Sequence, residues 1–300
     1  GNSPETVVTQ IVSEALTLEP SDVHVGYADT DAGFNGTGPG GSRYTVMVAG
    51  AIVSGVKTLR EKLFRIAAHM MECGTGDLEL RNGKVGVKGV PSMEKSIAEI
   101  AIASHYFRLN FPDEPGYESG LETTAVYDHP LTTMPAADRS HLGIFYPIMG
   151  HMSHAAAVEV DPKTGKVSIL DYVAVHDAGT VVNPMTLAGH IRGGTAQGIG
   201  SALYEHFRYD EQGQMVTSSF ADYHIPTTYE VPSNIRVGHV VTPSPYTEYG
   251  IKGGGEGGRM AAPPVLVQAI EDALQSFGVE IMEIPLPPAR IREIVRKAGG

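Results

Sequence analysis

Two regions of the chain alternate between apolar and polar residues, which predicts paired β-strands. Residues 154–177 contain two such runs on either side of the turn sequence DPKTG, and residues 77–87 contain two shorter runs around Asn82 and Gly83. Asn-Gly between alternating runs is a strong signal for a tight hairpin turn. Residues 21–29 alternate in the same way and predict one more strand.

Apolar residues spaced three and four apart predict five helices. These stretches are residues 3–16, 45–73, 183–207, 262–277 and 287–300. In the first helix we expect Ser3 to cap the N-terminus, and we expect Val8, Ile11, Val12 and Ala15 to share one face. Hairpins and helices that do not follow one another as regular β-α-β units predict an α+β fold.

Residues 112–138 are rich in proline and glycine and follow no period, which marks a candidate boundary between two lobes. We therefore predict a first α+β lobe at residues 1–111, an irregular connection at 112–140 and a second α+β lobe at 141–300. The chain has 300 residues, which is enough for one large domain or two ordinary ones.

The composition favours a folded cytoplasmic protein that binds neither nucleic acid nor anionic membranes. Apolar residues make up 42% of the chain, and the formal net charge is −12 with only 22 basic residues. No run of 18 apolar residues could span a membrane, and residues 1–8 lack the features of a signal peptide. The single cysteine, Cys73, allows no intrachain disulfide and cannot alone hold an iron–sulfur cluster.

The most unusual stretch is residues 250–260, GIKGGGEGGRM, in which six of the eleven residues are glycine. Consecutive glycines can expose backbone N–H groups to an anion, and we expect a helix N-terminus near residue 262 to add a positive dipole end. Glu256 would hold a proton more readily once a ligand covers it, which suits a general base. Composition alone leaves open the alternative of a surface turn with an incidental glutamate.

Two further glycine-rich segments are candidate contacts for a phosphate or a flat polar ligand. Residues 36–45, GTGPGGSRYT, lead into a helix, where Ser42, Thr45 and free backbone N–H groups could bind a phosphate. Gln197 lies among the glycines of residues 193–200, where its amide can both donate and accept hydrogen bonds. For each segment alone, a capped loop or a close helix crossing is the simpler explanation.

Polar residues near the second hairpin have either a structural or a binding interpretation. Asp177 and Asn183, in HDAGTVVNP, could bind the polar edge of a ligand or stabilise a turn. His151, His154 and His176 do not have the spacing of a zinc motif. We therefore expect no metal held by protein side chains, and we expect most of these histidines to be structural or exposed.

The order of several motifs resembles the C-terminal half of the molybdenum-binding subunit of molybdenum hydroxylases. This family includes xanthine dehydrogenase, aldehyde oxidoreductase, aerobic carbon monoxide dehydrogenase and nicotinate dehydrogenase. The similar segments are PETVVTQIVSEAL, VHVGYADTD, GGSRYT, VEVDPKTGKVSILDYVAVHDAGTVVNP, GHIRGGTAQGIGSALYE, ADYHIPT and GIKGGGEGGRMAAPPVLVQAIEDAL. They follow the family's order along nearly the whole chain, which makes the resemblance specific although each segment alone is not.

The resemblance implies the two-lobed fold of a molybdopterin-binding domain and a catalytic base. Lys252, Gly253, Gly254, Gly255 and Glu256 match the family's K-G-x-G-E segment, whose glutamate acts as the base beside molybdenum. In the family the metal is held by the dithiolene of a pterin, and these residues surround the cofactor. Glu256 is accordingly predicted to be catalytic, and the residues before it are predicted to bind the cofactor.

The resemblance also implies further cofactor contacts in the first glycine-rich loop and around the second hairpin. Gln197 matches a glutamine that contacts the cofactor, and Asp177 and Asn183 match a loop near its distal end. The loop that holds the cofactor phosphates in the family is matched by Gly41, Ser42, Arg43 and Thr45.

The activity that the resemblance implies is oxidative hydroxylation of an electron-poor carbon, in an N-heterocycle or an aldehyde, with oxygen derived from water. The chain lacks the family's N-terminal half, its iron–sulfur clusters and its flavin. We therefore expect three partners: a second molybdopterin-binding chain or the remaining half of the same polypeptide, an iron–sulfur subunit and an FAD subunit. The pterin is expected to carry a cytosine dinucleotide. The alternatives are a non-catalytic cofactor-binding or assembly subunit, and an anion-binding domain unrelated to molybdenum.

Overall fold

The computed structural model describes residues 2–27, 29, 31, 38–144 and 148–299. Among these residues there are six α-helices and six β-strands. The helices are α1 (Pro4–Leu16), α2 (Tyr44–Met71), α3 (Ile97–Tyr106), α4 (Pro184–Leu203), α5 (Gly257–Ala273) and α6 (Pro288–Lys297). The strands are β1 (Leu78–Arg81), β2 (Lys84–Val87), β3 (Val90–Ser96), β4 (His151–Val160), β5 (Val167–Asp177) and β6 (Ile235–His239).

The strands form two separate three-stranded sheets. The first is an antiparallel meander in the order β1-β2-β3, and the turn at Asn82 and Gly83 has positive φ at both residues, 49° and 68°. In the second sheet β4 pairs antiparallel with β5, and β6 pairs parallel with β5. Separate sheets and helices confirm the predicted α+β fold and both predicted hairpins.

Three hydrophobic clusters hold these elements together. The C-terminal core packs α4, α5 and α6 against the second sheet, and its residues include Tyr172, Ala174, Ile191, Ile199, Leu203, Leu266, Ile270 and Ile291. The N-terminal core packs the second half of α2 against α3 and the first sheet, with Leu63, Ile66, Ala67, Leu78, Val85 and Ile100. Full burial of one such aliphatic side chain contributes about 1.5–3 kcal/mol to folding.

The third cluster, the linking core, positions the two glycine-rich loops relative to each other. It consists of Val7, Ile11, Val46, Ala49, Ile148 and Ile251. These side chains come from α1, from the first turns of α2, from Ile148 shortly before β4 and from the residue just before Lys252. The start of α2 therefore lies beside the glycine-rich segment that leads into α5.

Three expectations for the first 29 residues are wrong. Ser3 does not cap α1: its φ is 53°, its side chain makes no capping hydrogen bond, and a capping residue normally needs an extended backbone. The buried apolar residues of α1 are Val7, Ile11 and Leu16. The observed buried face and the predicted face have only Ile11 in common, so the helix is rotated relative to the prediction. Residues 23–27 form no strand, because no described strand lies beside them to pair with their backbone.

Helix α5 begins about five residues before the start that the sequence predicts. Proline favours the first turn of a helix, so Pro263 and Pro264 suggested a start near residue 262. The observed helix begins at Gly257 and contains both prolines in its interior. Glu256 consequently lies directly at the N-terminus of α5. Residues 112–138 contain no helix or strand, while the division of the chain into two lobes stays a prediction.

Candidate functional site

Ser42 and Glu256 join the two glycine-rich segments through a reciprocal pair of hydrogen bonds. The Ser42 hydroxyl donates to Glu256 Oε2 at 3.1 Å and accepts from the backbone N–H of Glu256 at 2.9 Å. The two residues are 214 positions apart in sequence. Ser42 is therefore bound to the predicted base, although the resemblance had implied a phosphate contact for this residue.

The glycine-rich segment packs against the chain's own backbone and side chains. A Cβ added to Gly253 would lie 2.8 Å from the carbonyl oxygen of Ser42, and one added to Gly255 would lie 3.1 Å from the Ser42 hydroxyl. Gly254 has similarly little room, because a Cβ there would lie 3.1 Å from the side chains of Ala178 and Leu187. Close contact with other parts of the protein is therefore one reason that this segment contains glycine.

The backbone before α2 has the conformation of an anion-binding turn. Gly41 and Ser42 have left-handed backbones, with φ of 76° and 61°, and Arg43 returns to the right-handed region. Successive left- and right-handed residues turn their N–H groups toward a common point, beside the positive end of a 28-residue helix. A left-handed serine is strained, and such strain is often found at functional sites. Residues 36 and 37 of the predicted loop lie outside the described residues.

Two cavities meet at Glu256. The first cavity, of about 280 Å³, is lined by Gly41, Ser42, Thr45, Asn183, Lys252, Gly254, Gly255 and Glu256, together with residues of α1 and α4. The second cavity, of about 880 Å³, is lined by Gly255 and Glu256 and by Gln197, His190, Arg259 and Met260. Most of the predicted site residues therefore line one of two adjoining cavities, whereas Arg43, Gly253 and Asp177 line neither.

Asp177 and Lys252 form a largely buried ion pair at the wall of the first cavity. Lys252 Nζ donates to Asp177 Oδ2 at 2.9 Å and to the Thr242 hydroxyl at 2.6 Å, and the two charged side chains are only 11% and 14% exposed. Thr242 and the backbone N–H of Gly179 also donate to Asp177. Burial alone would raise the pKa of Asp177, but these hydrogen bonds outweigh it and hold the pKa well below its ordinary value.

Asn183 has a structural role that the sequence left open. Its side-chain oxygen accepts from the backbone N–H of Thr186 at 3.0 Å and so caps α4. Its amide group donates to Gln10 of α1 at 2.9 Å. Asn183 thus holds α1 and α4 together along the wall of the first cavity.

Sequence reasoning missed several residues that line the cavities. His190 and Arg259 line the second cavity, and Tyr44 lines the first. The spacing of Thr186, His190 and Gln197 places them on one face of α4. This spacing could have predicted that His190 lies beside Gln197 in the site. The contribution of α1 to the first cavity had no signal in sequence, since it depends on long-range packing.

A chain of buried polar side chains lies beneath the first turn of α5. Tyr172 Oη lies 2.9 Å from His154 Nδ1, and His154 Nε2 lies 2.8 Å from His176 Nε2. Tyr172 and His176 are buried, and His154 is half-buried. Burial, with smaller effects of His154 and His239, lowers the pKa of His176 to about 4.

This low pKa predicts a loss of stability in mild acid. A histidine whose folded-state pKa lies below its unfolded value of about 6.5 contributes fully above pH 6.5, and the contribution is lost as the pH falls toward 4. The shift of His176 corresponds to a loss of about 3 kcal/mol. Urea unfolding between pH 7 and 4 should show this loss. The loss of unfolding free energy in acid should be much smaller in His176→Gln. It should be unchanged in His206→Gln, which replaces an exposed histidine and serves as the control. An unchanged pH dependence in His176→Gln would show that His176 does not cause the loss.

Neither a membrane helix nor a metal cluster occurs in the described part of the chain. No helix there has the length and apolarity needed to cross a bilayer. No group of three or more histidine, cysteine, aspartate and glutamate side chains comes together there as a metal site.

Comparison with known proteins finds a family model and several relatives that match this chain. Residues 1–232 match the model of the molybdopterin cofactor-binding domain. The nicotine 6-hydroxylase large subunit of Paenarthrobacter nicotinovorans is 33% identical over 97% of this chain and 34% of its own length. The carbon monoxide dehydrogenase large chain of Afipia carboxidovorans is 32% identical over 100% of this chain and 34% of its own length.

A solved structure has the same fold over almost the whole chain. The crystal structure of quinoline 2-oxidoreductase from Pseudomonas putida 86 superimposes with a TM-score of 0.83 and 37% identity, covering 99% of this chain and 35% of that one. The present chain thus spans about a third of the length of the relatives that it matches.

Proposed function

The chain belongs to the molybdopterin cofactor-binding domain family of molybdenum hydroxylases, and from this premise we propose that it forms part of the cofactor site and supplies Glu256 as a general base. The observation that carries the proposal is the Ser42–Glu256 pair at the junction of the two cavities. It brings the predicted base and the predicted phosphate loop to one place from opposite ends of the sequence.

The residues present fit a large, flat and partly anionic cofactor. The N–H groups around Ser42 and the start of α2 suit phosphate groups, as do the hydroxyl of Thr45 and the dipole of the helix. Gly189 and Gly193 line the second cavity, and a Cβ added to either would meet no atom within 4 Å. Because the predicted contacts Thr45 and Gln197 line different cavities, we propose that the cofactor extends across both.

The proposed chemistry of the chain concerns one proton. Glu256 Oε2 is engaged by Ser42, whereas Oε1 receives no hydrogen bond from any described residue and can accept a proton. Ser42 also fixes the backbone of Glu256, so the direction of the carboxylate is set from two sides. When bound, the molybdenum cofactor would supply the oxidising centre.

An electron-poor N-heterocycle is the substrate class that we propose first. Nicotine and quinoline, named in two of the relatives, are N-heterocycles, and hydroxylation would use oxygen derived from water. An aldehyde is the second class consistent with this chemistry. We further propose that the pterin carries a cytosine dinucleotide and that the protein is cytoplasmic, which its single cysteine favours.

We propose that further protein completes the site. The relatives are about three times as long, and several large apolar side chains around the irregular segments are exposed, among them Val126, Met134, Leu142, Phe220 and Tyr229. We propose that another molybdopterin-binding chain, or the remainder of the same polypeptide, covers this surface. Iron–sulfur and FAD subunits would then receive the electrons.

Purification of the complete protein from its host tests this assignment. We expect a tagged protein to carry molybdenum and iron, to co-purify with at least one further chain and to release cytidine monophosphate on acid hydrolysis of the cofactor. A protein that contains no molybdenum would contradict the proposed function. Molybdenum without turnover in any preparation would instead favour a non-catalytic cofactor-binding or assembly subunit.

A further inference from the structure

The backbone that follows the predicted base rests directly on a buried imidazole. A Cβ added to Gly257 would lie 2.5 Å from His176 Cε1, 2.8 Å from His176 Nδ1 and 3.0 Å from Met152 Cε. The two distances to the ring are ones that real Cβ atoms essentially never show, so no side chain fits at Gly257 unless the helix or the ring moves. The first turn of α5 is therefore seated on the ring of His176.

The imidazole is itself held in place by a hydrogen bond to His154. His154, Tyr172 and His176 lie on one face of the β4–β5 ladder, because Met152 pairs with His176, and His154 and Tyr172 follow at even spacing on their strands. One neutral arrangement of protons fits both of the hydrogen bonds between them. The Tyr172 hydroxyl donates to His154 Nδ1, His154 Nε2–H donates to His176 Nε2, and His176 keeps its proton on Nδ1.

We propose that His176 is a positioning residue for Glu256, acting through Gly257. The ring determines how deeply the first turn of α5 is seated, and Ser42 determines the direction of the carboxylate. This inference rests on the proposed function, since the position of Glu256 matters only if Glu256 is the base. His176 lines neither cavity, so it acts on the site only through the backbone that it supports.

A buried hydrogen-bonded pair suits this role better than an apolar side chain would. An aliphatic residue could fill the same space, but it would have several rotamers and no fixed partner. Hydrogen bonds fix both the position and the rotation of the ring, and the deep burial of Tyr172 anchors the chain in the C-terminal core. A misplacement of about 1 Å at a catalytic group can cost about 100-fold in rate, so a rigid support has a kinetic consequence.

The test is a double-mutant cycle in the complete molybdenum-containing protein. Gly257→Ala is expected to lower kcat at least 10-fold, with KM and molybdenum content retained and the Ser42–Glu256 Oε2 distance longer than 3.1 Å. His176→Ala removes the ring, so the double variant is expected to recover much of the kcat and the original distance. His176→Gln, which keeps a polar atom near Nε2, should retain more activity than His176→Ala.

Gly76→Ala is the matched control, because a Cβ at Gly76 would meet no atom within 4 Å. If the Gly257→Ala protein fails to assemble, the inference predicts that adding His176→Ala restores assembly. The inference would be overturned if the effects of the two substitutions on kcat simply multiplied in the double variant. A normal kcat in the Gly257→Ala protein would overturn it as well. Full turnover in Glu256→Gln would instead refute the proposed function, so the two failures are distinguishable.

Discussion

Replacement of Glu256 by glutamine in the complete protein is expected to lower kcat by about 10²–10⁴-fold. Glutamine keeps the size of the side chain and can still bond to Ser42, but its amide cannot take up a proton at neutral pH. Because only the base is removed, molybdenum content and KM should change little. Steady-state kinetics and metal analysis of the same preparation measure both quantities.

Glu211→Gln is the matched control for this substitution. Glu211 is an exposed carboxylate in a turn and lines neither cavity, so its conversion to an amide should leave kcat unchanged. If Glu256→Gln retained more than a tenth of the wild-type kcat, Glu256 would not be the base. A loss of molybdenum would show that the carboxylate serves mainly to retain the cofactor.

The second large effect is on stability. Asp177→Ala should lower the free energy of unfolding by about 3–5 kcal/mol, because it leaves the ammonium group of Lys252 without its ionic partner in a site that is largely hidden from water. The substitution also removes the acceptor of Thr242 and Gly179. The pKa of Asp177 is depressed, so its contribution is present above the ordinary pKa of aspartate and is lost only as the pH falls into strong acid.

An ion pair on the same strand provides the comparison. Asp171 bonds to Arg236, but the two side chains are 48% and 56% exposed. Asp171→Ala should therefore cost about 1 kcal/mol or less. Denaturant unfolding of the two variants at pH 7 gives both values, and equal losses would show that burial does not strengthen the Asp177–Lys252 pair.

Local signals in the sequence predicted most of the helices and strands, and they also pointed to the candidate base. The alternation around DPKTG and the Asn-Gly turn predicted both hairpins, because register and turn type are determined over a few residues. The long helical period predicted α2 to within two residues at either end. The composition and spacing of GIKGGGEGGRM singled out Glu256 before any contact was known.

The remaining features depend on long-range packing that no local pattern contains. Residues 21–29 alternate like a strand, but described residues 23–27 have no neighbour to pair with. Proline usually starts a helix, yet α5 begins six residues before Pro263, where the glycines let the backbone approach Ser42, His176 and α4. The hydrogen bonds between Ser42 and Glu256 span 214 positions, so only the fold brings these residues together.

Location of the molybdenum in crystals of the complete protein, by anomalous scattering at its absorption edge, tests the central claim most directly. The proposed function predicts a single molybdenum peak at the junction of the two cavities, adjacent to the carboxylate of Glu256, with cofactor density reaching both Gln197 and the loop at Ser42. A peak remote from Glu256 in an active protein would contradict the claim that this chain supplies the base.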